Sequence, residues 1–318
     1  MSESVKLLSI DGGGIRGVIP AVLLAEIEKR TGKRIAHLFH LIAGTSTGGI
    51  LALALNKPDA QGEPQYSAAE LVSFYIEQGE RIFTRSFYRR LMAAGNLIES
   101  KFPASGIERV LDEFFGDARL RDAVTEVVIT SYEIERRQPF LFKSSNARIL
   151  PSYDYPMKVV ARATSAAPTY FEPLKIPIAS TTDYYALIDG GVYANNPALC
   201  ALVEARARFP LADEFMAVSL GTGELTRRIP YDDARKWGVA RWAKPLLDIV
   251  FDGVSGTVDY QLRKILPNYY RFQPSLLPEQ QKMDKTGRDN LRELKLAAEH
   301  FIRSRSAEID RVCEKLVA

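Results

Sequence analysis

Apolar residues along the chain fall into short unbroken runs set between longer amphipathic ones. Val5-Lys6-Leu7-Leu8-Ser9-Ile10 has the length of a buried strand, and Val18–Arg30 after it has the length of a helix. Pro20 falls in that helix's first turn, where a missing N–H costs nothing, and Gly32 stops it. The unit repeats at once: Leu41-Ile42-Ala43 reads as a strand and Ile50–Leu55 as a helix. Pro58–Pro64 is a polar loop. Ser67-Ala68-Ala69-Glu70 is a capping box that opens a helix to about Phe83, and Ser105-Gly106-Ile107-Glu108 is a second, whose helix ends at Gly116. Thr84–Pro103, between them, has poor periodicity.

Further on, Glu126–Ile134 and Pro139–Lys143 are β-rich and predict a hairpin, and Met157–Ala166 predicts a helix stopped at Pro168. Tyr184–Ile188 and Phe215–Leu220 read as strands, closed by Asp189-Gly190-Gly191 and Gly221-Thr222-Gly223. Asn196 is expected to cap the next helix, with Pro197 at its first position. From about Gly287 one long helix is predicted to the end, its apolar face formed by Leu291, Leu294, Ala298, Phe301, Ile302, Ile309, Val312 and Leu316. There are no internal repeats or obvious linkers. Strands alternating with helices predict an α/β fold in one domain spanning residues 1–318: a three-layer sandwich with a mostly parallel central sheet and helices on both faces.

Composition narrows the function. The 318 residues are 46% hydrophobic and 25% charged, which is ordinary for a globular chain with a full core. A net charge of +3 is too small to imply nucleic acid as a partner. Cys200 and Cys313 lie far apart in apolar helical contexts, so buried free thiols are expected, and three histidines leave little for a metal cluster. Met1–Ser4 leads straight into the first strand with no basic and apolar leader, and no apolar run approaches a membrane span. A soluble, cytoplasmic protein without metal or cofactor is the expectation.

Two glycine-rich turns carry the chemistry. Gly44-Thr45-Ser46-Thr47-Gly48 lies between a strand and a helix, where Gly-x-Ser-x-Gly lifts a serine hydroxyl clear of the sheet and aims a helix N-terminus at it. Gly12-Gly13-Gly14-Ile15-Arg16-Gly17 has two functional readings. As a dinucleotide fingerprint it needs an acidic residue about 20 positions on, yet no Asp or Glu stands between Glu28 and Asp59, although Lys33 and Arg34 keep a 2′-phosphate version open. As an oxyanion hole it needs only backbone N–H groups free of side chains, at a helix N-terminus.

A serine nucleophile also needs a base. His37 and His40 sit just before the Ser46 strand, and His300 points away from the apolar face of the last helix. Asp189, at the carboxyl end of an apolar strand and before two glycines, is the better placed candidate.

Three ordered motifs now stand together: Asp11–Gly17, Gly44–Gly48 around Ser46, and Asp189-Gly190-Gly191. With Ser165-Ala166-Ala167-Pro168-Thr169-Tyr170-Phe171 and Asn195-Asn196-Pro197, the chain resembles the patatin-like phospholipases, lipid acyl hydrolases related in architecture to the α/β-hydrolases. The resemblance is firm over about residues 5–223 and looser beyond. It implies a Ser–Asp dyad of Ser46 and Asp189 without histidine, an oxyanion hole at Gly12, Gly13 and Gly14, a supporting basic residue at Arg16, and no obligatory metal. One departure is His40, where the family often has an Asp before the elbow strand.

What the resemblance implies chemically is hydrolysis of carboxylic esters of membrane lipids through an acyl-enzyme. A carboxylate is a weaker base than imidazole and is mostly ionised at pH 7, which suits ester better than amide leaving groups. The rivals are a nucleotide-binding protein using Gly12–Gly17 and a catalytically silent interaction module of the same fold. A lipid substrate implies peripheral contact with a membrane. Arg81–Met92, with four arginines, three aromatics and no acid, and Arg235–Lys244, with both tryptophans among four basic residues, are the stretches suited to it, the first being preferred.

Overall fold

The computed structural model describes residues 4–82, 104–179, 181–226, 228–281, 283–285 and 287–318. Its main elements in chain order are β1 (Val5–Ile10), α1 (Val18–Thr31), β2 (Leu41–Thr45), α2 (Thr47–Leu55), α3 (Ala68–Ile82), α4 (Ala104–Phe115), β3 (Glu126–Glu133), β4 (Gln138–Lys143), α5 (Met157–Thr164), β5 (Leu174–Pro177), β6 (Tyr184–Asp189), α6 (Ala198–Arg208), β7 (Phe215–Leu220), α7 (Val239–Ile265), β8 (Asn268–Phe272), α8 (Arg288–Ser304) and α9 (Ser306–Val317). Residues 83–92 of the preferred basic, aromatic stretch and all of Thr84–Pro103 lie outside the described residues.

The fold is mixed α/β, and its central sheet is mostly parallel. β3, β2, β1, β7 and β8 run parallel in that spatial order. The predicted hairpin forms, β4 pairing antiparallel with β3 from Val128↔Lys143 to Glu133↔Gln138. β6 also joins β3 antiparallel, and β5 extends the sheet beyond it.

Alternation along each strand splits the core in two. Leu8, Ile10, Ile42, Val218 and Leu220 face one large cluster with α1 to α5, α8 and α9, whereas Val5, Leu7, Leu41, Ala43 and Ala217 face a smaller one with α6 and α7. Burial on both faces is why these strands read as unbroken apolar runs.

Several boundaries shift for local reasons. Ser67 and Glu70 do form the predicted box, Ser67 N–H donating to Glu70 Oε2 at 2.8 Å and Glu70 N–H to Ser67 Oγ at 3.3 Å. α4 already includes Ala104, so Ser105 and Gly106 lie inside it and not at its start. α5 ends at Thr164, two residues before the expected stop. Pro197 takes the N-cap of α6, and Asn196 Oδ1 accepts the Ala198 N–H at 3.1 Å.

The last helix is two helices, broken at Arg305. Arg30 of α1 pins the second one, donating to Ser306 O at 3.0 Å and to Asp310 at 2.8 Å. The apolar face predicted for one helix is continuous across the break: Leu291, Leu294, Ala298, Ile302, Ile309, Val312 and Leu316 are all buried. Both cysteines are free thiols, Cys313 buried and Cys200 half-buried. Among the described residues no helix is long and apolar enough to cross a membrane.

The longest segment that pattern reading missed is α7, 27 residues long with Pro245 and two glycines inside it. Its C-terminal half is seated on the smaller cluster by Val258 and Leu262. Leu262 is fully buried there. Leu262→Ala should cost about 2–5 kcal/mol in urea unfolding; a cost below about 1 kcal/mol would mean that the helix is not held by that face.

Candidate active site

Register alone brings Ser46 and Asp189 together. β2 pairs with β3 up to Thr45↔Thr130, and β6 pairs with β3 from Asp189↔Ser131 to Leu187↔Glu133. β4 pairs with β3 over both of these stretches, so it holds the opposite edge. β2 and β6 therefore share one edge of β3 and run toward each other. Their C-terminal ends meet between Thr130 and Ser131, putting the residue after β2 beside the last residue of β6. Asp189 thus reaches the carboxyl ends of the parallel strands head-on, from an antiparallel strand. Thr130 and Thr45 join their hydroxyls at 2.7 Å at this junction, and Thr45 Oγ1 donates to Ala194 O at 2.6 Å.

Ser46 sits at the strand-to-helix turn with φ 55° and ψ −123°. That is left-handed backbone, which a non-glycine residue holds only when its surroundings enforce it. Here the N–H of Ser46 donates to Thr164 Oγ1 at 2.8 Å, and its carbonyl accepts the Ile50 N–H at 3.0 Å. The flanking glycines are needed for close backbone approach: a Cβ on Gly44 would lie 2.3 Å from Gly48 O, and one on Gly48 would lie 2.1 Å from Ile10 O. One residue on, the Thr47 hydroxyl bonds to the Tyr75 hydroxyl, which also meets Thr47 O at 3.1 Å.

The glycine loop lies beside this turn. Gly13 and Gly14 line one pocket with Ser46 and Asp189. Among the described residues nothing takes the N–H groups of Gly13 or Gly14, whereas the Gly12 N–H is spent on Asn195 O at 3.0 Å and the Ile15 N–H on Met283 O at 2.9 Å. Of the three expected oxyanion donors, Gly12 is therefore committed elsewhere. Its carbonyl is held as well, accepting the Thr222 hydroxyl at 2.7 Å.

Arg16 is not a surface residue: it is only 5% exposed, lies behind the loop, and reaches Gly13 O with Nε at 3.3 Å. Burial lowers its pKa, and Asp252, Asp248, Tyr170 and Asp11 oppose the shift. Behind it, Asp11 is clamped by both guanidinium nitrogens of Arg271, at 2.8 and 2.6 Å.

Asp189 is 2% exposed. Burial pushes its pKa up to about 7, held from rising further by the Ser46 hydroxyl and by the Gly191 N–H. That N–H donates to Oδ1 at 2.7 Å. The expectation of a weak base, mostly ionised at neutral pH, is thus corrected: removal from water gives this carboxylate a base strength close to that of imidazole. No histidine competes for the role. His300 is exposed on α8, His37 meets Glu63 at 3.1 Å, and His40 accepts the Lys6 N–H at 2.9 Å with its ring edge-on to Phe209.

The pocket that the pair lines is walled by Ile15, Ile50, Phe74, Ile107, Phe171 and Phe251. Among the described residues no cluster of acidic, histidine and cysteine side chains fits a metal ion. Sequence reading missed Thr164, Tyr75, Asn195, Phe251 and Arg271. Only Asn195 fell within a motif that had been noticed; the others come from elements whose placement no local pattern reveals.

A strained serine at a strand-to-helix turn, a buried acid beside it and a glycine loop on an α/β sheet define a serine-elbow protein. The chain belongs to the patatin-like phospholipase family, whose family model, "Patatin-like phospholipase", matches residues 8–202. It is 33% identical to Patatin-like protein 4 of Arabidopsis thaliana over 94% of this chain and 83% of that protein. It is 34% identical to Patatin-like protein 2 of the same plant, over 86% and 76%. It is also 33% identical, over 87% and 80%, to a Solanum tuberosum protein named Probable inactive patatin-3-Kuras 1.

The raised pKa of Asp189 has a consequence for stability. Above the ordinary value of 3.8 the unfolded chain gives up its proton, while the folded chain keeps it to about 7. Ionisation then favours the unfolded chain, and this group's contribution falls as pH rises across that window. Asp189→Asn keeps the shape and removes the cost. Its Tm should match wild type near pH 4 and exceed it at pH 8; a lower Tm at pH 8 would mean that the carboxylate is stabilised where it sits.

Proposed function

We propose that the protein hydrolyses carboxylic esters of membrane lipids through an acyl-enzyme on Ser46, with Asp189 as its base. The observation that carries this reading is the meeting of a strained serine and a buried carboxylate, its pKa pushed up to about 7, in the lining of one mainly apolar pocket. In the first half-reaction Asp189 takes the Ser46 proton as the oxygen attacks the ester carbonyl. The oxyanion forms against the N–H groups of Gly13 and Gly14, at the start of the helical turn that opens α1. Asp189 then passes its proton to the departing alcohol. In the second half, water attacks the acyl group and the same proton transfers run again.

With a base of imidazole-like strength, a preference for esters cannot rest on weak basicity; what supports it is the family and the apolar walls suited to an acyl chain. Arg16 acts as a positioning residue through Gly13 O. It is absent from the pocket lining, which counts against a direct contact with an anionic head group. The nucleotide-binding alternative is weakened because two of the loop's N–H groups are spent on Asn195 and Met283. A silent module of the same fold differs from an enzyme in one cheap measurement, labelling of Ser46 by a fluorophosphonate.

The deciding experiment is mass spectrometry of the products from mixed phospholipid vesicles, with Ser46→Ala beside wild type. Free fatty acid should appear with wild type and fall below about a hundredth with Ser46→Ala, since the nucleophile contributes orders of magnitude. Turnover retained in that variant would remove Ser46 from the mechanism. On a soluble ester, kcat/KM should rise with pH and level off above an inflection near 7, because only ionised Asp189 accepts the proton. A profile already flat from pH 5 upward would place the base elsewhere.

A further inference from the structure

α7 presents two apolar faces. Phe251, Ser255, Val258 and Leu262 are buried and recur at spacings of four, three and four, which is one side of a helix. Val239, Trp242, Leu246 and Ile249 recur at three, four and three. At about 100° per residue this second set centres roughly opposite the first, on the solvent side. Val239 is 91% exposed, Leu246 51% and Ile249 41%, and the Trp242 ring stands edge-on to Trp237 at 5.2 Å. Single exposed apolar residues need no explanation, but a stripe along one helix face does.

Charge and position say what such a stripe would meet. From Arg235 to Leu247 the chain carries Arg235, Lys236, Arg241 and Lys244 and no acid. Arg235, Lys236 and Arg241 are exposed, and the Arg241 guanidinium lies 5.5 Å from the centre of the Trp237 ring. The acids that follow, Asp248 and Asp252, act on the buried Arg16. The same helix lines the Ser46 pocket through Phe251, so whatever rests on the stripe lies within a few helical turns of the pocket wall.

We propose that the outer face of α7, Val239, Trp242, Leu246 and Ile249 with the basic residues beside them, rests on an anionic lipid bilayer and sets the pocket at its surface. This rests on the acyl-hydrolase reading for its purpose, though not for its test. Apolar side chains enter the head-group boundary, indole rings settle at that level, and Lys and Arg draw anionic lipid. It selects the second of the two stretches that the sequence offered.

The test is co-sedimentation of the Ser46→Ala protein, so that no chemistry intervenes, with vesicles of phosphatidylcholine alone or with about one third phosphatidylglycerol. Binding should favour the anionic vesicles and weaken with salt, by charge screening. Adding Val239→Ser, Leu246→Ser and Ile249→Ser should reduce binding at least tenfold. The same three changes in the Ser46 protein should leave turnover of a short soluble ester within twofold. Unchanged vesicle binding in the triple variant would overturn the proposal. So would equal loss on the soluble ester, which would make the stripe part of the fold, or a wild-type dimer in size exclusion that the triple variant abolishes, which would make the occupant a second copy. Vesicle binding without hydrolysis of any ester by the Ser46 protein would support the surface and count against the enzymatic reading alone.

Discussion

One edge of a strand can pair with only one neighbour at any point along its length, and the site depends on this. β3 offers its edge to β2 as far as Thr130 and to β6 from Ser131. Because the two arrive from opposite directions, each must end there, β2 just before Ser46 and β6 on Asp189, the two candidate site residues. The crowding that follows is visible at Gly190, where a Cβ would lie 2.1 Å from Thr130 Oγ1. A carboxylate placed where two strands abut inside a sheet is almost wholly withdrawn from solvent, and Asp189 is 2% exposed. Its raised pKa is a product of the topology more than of any partner side chain.

The glycines follow from the same packing. A Cβ on Gly13 would lie 2.2 Å from Thr222 Oγ1, and one on Gly12 would lie 2.4 Å from Asn195 Oδ1. The loop is therefore pressed between the turn after β7 and the segment after β6, with its free N–H groups left on the remaining side. Asp11 anchors its start through Arg271, which β8 delivers from 260 residues away. Both side chains of that pair are almost fully buried. Truncating either would strand the other charge in the interior, a loss of about 3–5 kcal/mol felt directly at the loop.

How much of this could be read from the sequence depended on how local the cause was. β1, β2 and β7 are apolar on both faces and announce themselves, and the turns after them carry glycines against which neighbouring groups pack too closely for a Cβ. Ser46 and Asp189 were legible because motif and strand end coincide. The direction of β6 was not, since alternation is the same whichever way a strand runs. α7 was hidden because Pro245, Gly253 and Gly256 read as breakers and its two apolar faces blur a single stripe. β8, Asn-Tyr-Tyr-Arg-Phe, carries polar atoms on an otherwise apolar strand; its Arg271 has meaning only once Asp11 is beside it. The base strength of Asp189 was misjudged for a similar reason: burial is supplied by chain far from it in sequence.

A Ser–Asp pair also moves charge differently from a serine with histidine. Proton transfer to a neutral imidazole creates an ion pair with the oxyanion, and the site must solvate both charges. In the proposed mechanism, transfer to ionised Asp189 would neutralise the acid as the oxyanion formed, so one negative charge would be displaced and none created. In a water-poor pocket that displacement is favoured when the destination has better donors than the origin. Asp189 holds one backbone donor, the Gly191 N–H, besides the serine hydroxyl itself. Across the pocket Gly13 and Gly14 keep two N–H groups without partners among the described residues. On the proposed mechanism, burial that raises the carboxylate's energy in the ground state would work in the same direction as a loop that lowers the oxyanion's energy. The polar arrangement needs no third residue to hold a ring in place, which is consistent with every histidine of the chain standing outside the pocket lining.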